Sequence, residues 1–186
     1  MSSDPLAPGL LVAMPQLVDP NFHRGVVLIV HHDEEGSFGV VVNRTAPIST
    51  DRLCRSIGIE WRGDPGQSVH WGGPVQPEMG WVLFDELEGE EKGEDVQQLC
   101  TGLYFAGSLD VLRRVANEPP PRMRVMLGYA GWGPGQLEEE LAASAWLVVP
   151  LDHEALFEVS PADLWEHAVR SLGVEPATLV TGQGIH

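Results

Sequence analysis

Two short runs constrain this chain more than any other feature. Val26–Val30 and Phe38–Val42 are apolar almost without a break and rich in β-branched residues. Runs of that length and composition form buried strands. Asp33-Glu34-Glu35-Gly36 lies between them and supplies a turn, with a glycine available for a positive φ. The chain is therefore expected to build its core around a β-hairpin.

Further strands are expected at Leu10–Met14, Val69–Trp71, Trp81–Phe84, Leu103–Ala106, Met123–Tyr129 and Ala145–Val149. Helix signals are fewer. Ser160-Pro161-Ala162-Asp163 offers a cap, a first-position proline and an acid in the first turn. Leu164, Trp165, Ala168, Val169 and Leu172 then share one face, and Gly173 stops the helix. Ser108 is placed to cap a second helix with Leu109, Leu112, Val115 and Ala116 inward, ended before Pro119-Pro120-Pro121. Pro134 and Gln136 open a third, and Thr50 or Asp51 a fourth through about Ser56. Strands pair first and mix with helices later, without strict βαβ alternation. That order predicts an α+β fold with a mixed, mostly antiparallel sheet.

The 186 residues suit a single domain, with a core over about residues 10–173. No run reaches the roughly 20 apolar residues of a membrane-spanning helix. The start lacks the positive and apolar regions of a signal peptide, and Cys54 and Cys100 have neither metal nor redox spacing. A cytoplasmic protein with reduced thiols and no disulfide is the expectation.

The net charge of −16 comes from 11 basic and 27 acidic residues. Asp85 to Asp95 alone holds seven acids against Lys92, and Glu86–Gln98 is expected to be a mobile, solvated loop. Direct binding to nucleic acid or an anionic membrane is disfavoured, because neither meets a basic patch.

Several segments can carry chemistry. Gly128–Gln136 runs from a strand through a glycine-rich turn to a helix start, a form that can cradle phosphate. Glu138, Glu139 and Glu140 already answer the helix dipole, however, and no arginine or lysine falls between Arg124 and Arg170. Close packing under Tyr129 and Trp132 is the alternative use of those glycines. Asn21, His23 and Arg24 can orient a carboxylate, or the Asp19–Arg24 segment can be a capped turn with Phe22 in the core. His31 and His32 are adjacent on a strand and point to opposite faces, so no metal site is expected. Arg52 and Arg55 can lower the pKa of Cys54, unless that thiol is simply a buried apolar group. Asn43-Arg44 and Gly72-Gly73-Pro74 mark turns that can converge on one cleft with Arg24.

Taken in order, these segments resemble the YqgE/AlgH family. The resemblance rests on Leu11–Pro15, Asp19–Arg24, Glu35–Arg44, Gly72–Val75, Ser108–Leu112, Leu127–Trp132, Gly135–Glu138 and Ala145–Leu147. It departs from the family pattern at Gly25, Met79, Phe84 and Leu164, where polar or basic side chains are usual. The resemblance implies an α+β fold with a mixed, partly barrel-like sheet and flanking helices, and it implies no reaction. One branch of the family takes its name from a proposed role in transcriptional regulation of alginate synthesis.

The candidate binding surface is Asn21, His23, Arg24, Asn43, Arg44, Gly72, Gly73, Gly131, Trp132, Gln136 and Glu139. No catalytic set, metal or cofactor is assigned. The favoured function is a non-enzymatic regulatory or binding protein, with a protein or small ligand as partner. The alternatives are an enzyme using His23 or Glu139 as base with Arg24 holding an anion, and a direct DNA-binding regulator.

Overall fold

The computed structural model describes residues 6–17, 19–86 and 95–182. The first strands are β1 (Gly9–Ala13), β2 (Val26–Asp33), β3 (Gly36–Val41) and β4 (Thr45–Ser49). Helix α1 (Thr50–Ser56) precedes β5 (Ser68–Trp71), β6 (Val75–Phe84), β7 (Val96–Cys100) and β8 (Leu103–Ala106). Helix α2 (Leu109–Asn117), β9 (Met123–Trp132), α3 (Gln136–Ala142) and β10 (Trp146–Val149) follow. The chain closes with α4 (His153–Glu158), α5 (Pro161–Arg170) and α6 (Pro176–Gly182).

The expected hairpin is β2–β3, antiparallel, with Asp33 opposite Gly36. Alternation along its strands explains their unbroken apolarity. Leu10, Val12, Val26, Leu28, Val30 and Val40 face one core, while Leu11, Ala13, Val27, Ile29 and Val41 face another. Both faces of this half of the sheet are covered, so no position is left for a polar residue. Each such side chain contributes about 1.5–3 kcal/mol of burial.

The first core lies under α4 and α5, with Leu156, Phe157, Leu164 and Trp165. The second is closed by Leu137 of α3 and by Phe22. A third packs Val82, Phe84, Met123 and Val125 against Cys54 of α1 and Val111, Val115 and Ala116 of α2. The fold is thus α+β, with a ten-stranded sheet ordered β10-β1-β2-β3-β9-β6-β8-β7 and β4–β5 branching from β9. Among the described residues, the one parallel pair is β5–β9, which makes the mostly antiparallel sheet mixed.

Strand β9 is shared. It pairs with β6 along one edge, and on the other with β5 through Met126 and Leu127 and with β3 through Ala130–Trp132. Gly72 bridges the change of partner, donating its N–H to the Leu127 carbonyl while its own carbonyl accepts from Val41 (both 2.7 Å). Here the β5–β6 link crosses β9 backbone to backbone. A Cβ on Gly73 or Gly128 would lie well inside contact distance of the other strand.

The structure corrects several expectations. β6 and β9 run further than their apolar cores, and β4, β7, α4 and α6 were not read from the sequence. Val96–Gln98 belongs to β7, not to a loop; residues 87–94 of the expected acidic loop lie outside the described residues. Ser49, rather than Thr50 or Asp51, caps α1 by accepting from the Arg52 N–H. Ser160 stands at the cap position of α5, but its hydroxyl donates to the Asp163 carboxylate (3.0 Å). Ser108 does cap α2, accepting from the Asp110 and Val111 N–H groups. Leu109 and Leu172 are exposed, not inward.

Candidate functional site

The sequence-derived surface resolves into three joints. In the first, the Asp19–Arg24 loop is held by backbone turns and two side chains. Asp19 accepts from the Asn21 N–H (2.8 Å), and Arg24 takes a left-handed φ of 54° as the chain enters β2. The Asn43 amide donates to the Arg24 carbonyl and accepts from the Val26 N–H, both at 2.9 Å. The Arg44 guanidinium donates to three loop carbonyls, Pro20 (2.9 Å), Asn21 (2.6 Å) and His23 (2.6 Å). It also lies 5.5 Å from the Trp71 ring centre. A charged, planar donor satisfies three carbonyls that would otherwise need water. We predict that Arg44→Ala costs about 2 kcal/mol and removes hydrogen-exchange protection from residues 21–25. Arg44→Lys recovers only part, because an ammonium lacks the forked geometry. Unchanged protection in Arg44→Ala would show that the loop holds itself.

Arg24 itself sits 4.2 Å from the Trp165 ring centre and 3.4 Å from a Glu166 carboxylate oxygen. Trp165 is fixed in turn by donating its indole N–H to the Ala13 carbonyl (2.8 Å). The Arg24 charge is therefore partly neutralised within the chain.

The second joint centres on Glu140, a residue the sequence reading placed only at the helix dipole. Its Oε1 accepts from the indole N–H groups of Trp132 (2.9 Å) and Trp146 (2.8 Å), and its Oε2 from Gln136 (2.9 Å). Phe22 stacks on Trp132 and meets Trp146 edge-on, which ties the two joints together. Gln136 also accepts from the Gly133 N–H (3.0 Å), using a donor that a phosphate cradle would need. The turn after β9 is thus occupied by its own side chains.

The third joint is the close crossing of Gly72–Gly73 over β9. Gly131 pairs with Phe38 across β3–β9. His23 and Glu139 are exposed, and His23 enters the first joint through its backbone carbonyl. His31 faces Asp33 (2.7 Å), and His32 bridges Ser37 (2.6 Å) and Glu138 (3.3 Å). Among the described residues, no group of three or more His, Cys, Asp or Glu is placed to hold a metal. Of the two readings of Cys54, the buried apolar group is the one the structure supports: it is fully buried, and burial, with help from Asp51, pushes its thiol pKa up, so Arg52 and Arg55 do not activate it.

What the sequence reading missed is an apolar groove of about 270 Å³ on the α1–α2 side of the sheet. Leu53 of α1 and Ile57 just after it, Met79–Val82 of β6, Leu109 and Leu112 of α2, and Val125 and Leu127 of β9 line it. It opens because the two helices are short, about 10 and 14 Å at 1.5 Å per residue, and leave the sheet uncovered between them. The ladder between β6 and β9 is interrupted between Val75 and Gly80, and this bulge carries Glu78 and Met79 outward. Ile57, Met79 and Leu109 on the rim are 43%, 42% and 57% exposed. The available signal was negative: Ile57 follows α1, Leu109 begins α2, and Met79 stands two residues after Pro77 in a polar stretch. Of the positions that depart from the family pattern, Met79 lies on this rim, while Phe84 and Leu164 are buried in two of the cores.

One buried polar group gives the fold a pH dependence. His70 is 6% exposed, and its Nδ1 has no hydrogen-bond partner. Burial, then the nearby Arg124 charge, lowers its pKa to about 4 from 6.5. Between those values the unfolded chain binds the proton and the folded chain does not, so stability falls as pH falls. The predicted loss from pH 7 to pH 5 is about 2 kcal/mol, read from denaturant midpoints and absent in His70→Gln. An equal loss in both proteins would assign the effect to other groups.

No helix among the described residues is long and apolar enough to cross a membrane. Compared with known proteins, the chain matches the AlgH-like family model over residues 10–177. A UPF0301 protein of Myxococcus xanthus is 48% identical over 183 residues, covering 97% of this chain and 98% of that one. A UPF0301 protein of Anaeromyxobacter dehalogenans is 40% identical, covering 96% and 94%. The solution structure of the AlgH protein from Pseudomonas aeruginosa superposes with a TM-score of 0.78 at 34% identity, covering 100% of this chain and 99% of that one. The crystal structure of protein DIP2367 from Corynebacterium diphtheriae gives 0.75 at 25% identity, covering 91% and 89%. Model, relatives and fold agree: the chain belongs to the AlgH-like family.

Proposed function

We propose that this protein is a non-enzymatic binding protein, acting in the cytoplasm, that recognises a partner protein through the groove between α1, β6 and α2. The observation that carries this reading is the concentration of exposed apolar side chains there. Of the five large hydrophobic residues exposed among those described, Ile57, Met79 and Leu109 rim this one groove. Exposed apolar surface gathered in one place marks an interaction site, whereas scattered residues do not. The polar residues singled out from sequence support the reading from the other side. Asn43, Arg44, Trp132 and Gln136 spend their hydrogen bonds on the fold. They serve as a rigid frame, which is what an interface needs beneath it. The net charge of −16 favours a partner without strong acidity over a nucleic acid. Cys54 and Cys100 are both free, in keeping with a reducing compartment.

The test is photo-cross-linking in bacterial cells, with a photoreactive residue in place of Met79. Discrete heteromeric products are expected, lost on Leu109→Asp and retained on Leu172→Asp, which alters an exposed leucine elsewhere. No product, or one that survives Leu109→Asp, would sink the reading.

A further inference from the structure

What the groove can hold is set by the backbone along its β6 wall. β6 meets β8 at Val82–Phe84, and β8 ends at Ala106, opposite Val82. Among the described residues, Gly80 and Trp81 therefore run past the end of β8, paired with β9 on one side and with no strand on the other. In an antiparallel pair, residues directly opposite either exchange both backbone hydrogen bonds or exchange none, in alternation. Leu127 stands opposite Gly80, but its carbonyl accepts from the Gly72 N–H (2.7 Å) on the β5 side. Gly80 and Leu127 are thus a pair that exchanges none, and the Gly80 N–H and C=O point to the edge that β8 has left. Gly80 is exposed, and among the described residues neither group has a backbone partner there.

Space beside this edge is open on both faces of the sheet. The groove lies on the α1–α2 face, and a second cavity of about 320 Å³ lies on the other, walled by Val30, Phe38 and Phe105. Trp81 and Gly107 line both. Side chains of a strand alternate between faces, so a segment lying beside Gly80 places successive residues in one cavity and then the other. The fold itself does not require glycine at this position. A Cβ on Gly80 meets its nearest neighbour, a Leu127 side-chain methyl, at 3.8 Å, an ordinary contact distance. What the bare backbone allows is close approach by another chain. A helix seated here would strip water from the Gly80 N–H and C=O and return nothing, since its own backbone is already paired. An extended segment pairs both groups.

Resting on the binding role proposed above, we infer that an extended segment of a partner protein adds as a strand to β6 at Gly80, in the line that β8 vacates. Its backbone pairs with the Gly80 N–H and C=O. The residue facing Gly80 sends an apolar side chain into the groove, and the residues on either side turn theirs to the Trp81–Phe105 face. Glu78 lines the first cavity and Asp95 the second, both exposed, so the segment carries no carboxylate at these positions.

The experiment is selection of displayed linear peptides of about eight residues, an ordinary strand length, randomised at every position. The full chain is the target, and the Leu109→Asp chain removes peptides that bind elsewhere. Enrichment of apolar residues at alternate positions is expected. In a synthesised winner, methylating the one backbone nitrogen that serves the Gly80 carbonyl should weaken binding about tenfold, and methylating its two neighbours should leave binding unchanged. The Gly80 amide, open to water in the free protein, should become protected from hydrogen exchange in the complex. A methylation series without that alternation, or a Gly80 amide that still exchanges freely, would overturn the added strand and leave the groove as a binding surface. Winners that bind as helices, with apolar residues three and four apart, would do the same. No enrichment alongside a Met79 cross-link would overturn the extended segment and keep the binding reading; failure of both would remove both. Self-association abolished by Leu109→Asp would give the edge to a second copy, and saturation by a small apolar dye alone would give the groove to a small molecule. Either result overturns the inference.

Discussion

Gly73→Ala is expected to yield no cooperatively folded protein, a loss of more than about 4 kcal/mol against a total stability of order 10. Gly73 has φ 153°, and a Cβ there would collide with the Tyr129 carbonyl group and the Ala130 nitrogen. All three atoms are backbone of β9, the strand that joins β3, β5 and β6. Relief would require separating strands rather than rotating a side chain, and packed interiors resist such shifts. Gly135→Ala is the control. Its φ is also left-handed, at 76°, but a Cβ there meets nothing within 4 Å. That variant should lose only the conformational cost of about 1–2 kcal/mol. Denaturant unfolding and amide dispersion separate the two cases. If Gly73→Ala unfolds within about 1 kcal/mol of Gly135→Ala, the close crossing is not what holds the sheet together.

Glu140→Ala is expected to cost about 3 kcal/mol, because it orphans two indole donors at once. Trp132 and Trp146 are 7% and 4% exposed, so water cannot readily replace the carboxylate. Phe22 packs on both rings, so the loss should spread to the Asp19–Arg24 loop and reduce the near-ultraviolet dichroism of the tryptophans. Glu140→Gln retains an acceptor oxygen where both indoles point and should cost about 1 kcal/mol or less. Equal losses in the two variants would mean that charge, not acceptor placement, sets the energy. An effect below about 0.5 kcal/mol in Glu140→Ala would show that the tryptophans pack without their hydrogen bonds.

The two classes of residue differ in how legible they were. Val26–Val30 and Phe38–Val42 declared their strands because a doubly covered strand has no polar positions, a purely local property. Ser108 declared its helix start because a cap bonds residues two and three positions away. By contrast, Thr45–Ser49 and Val96–Cys100 are short, part-exposed strands defined by their partners, and no local pattern marks them. Leu109 looked like the first inward leucine of α2, but only the spacing between α1, α2 and β6 decides that it is 57% exposed. Arg44 and Asn43 read as turn residues or ligand groups. Their contacts lie about 20 positions back in the chain, so their structural role was invisible to local spacing.

The sequence by itself determined the α+β class, the buried hairpin, the acidity and the family. Each depends on composition, on period or on ordered motifs, and all of these can be read along one dimension. Tertiary structure decided the crossing of Gly73 over β9, the convergence of three donors on Glu140, and the apolar groove. These arise where segments distant in the chain meet, and their energies depend on distances between backbones and rings that no residue carries alone.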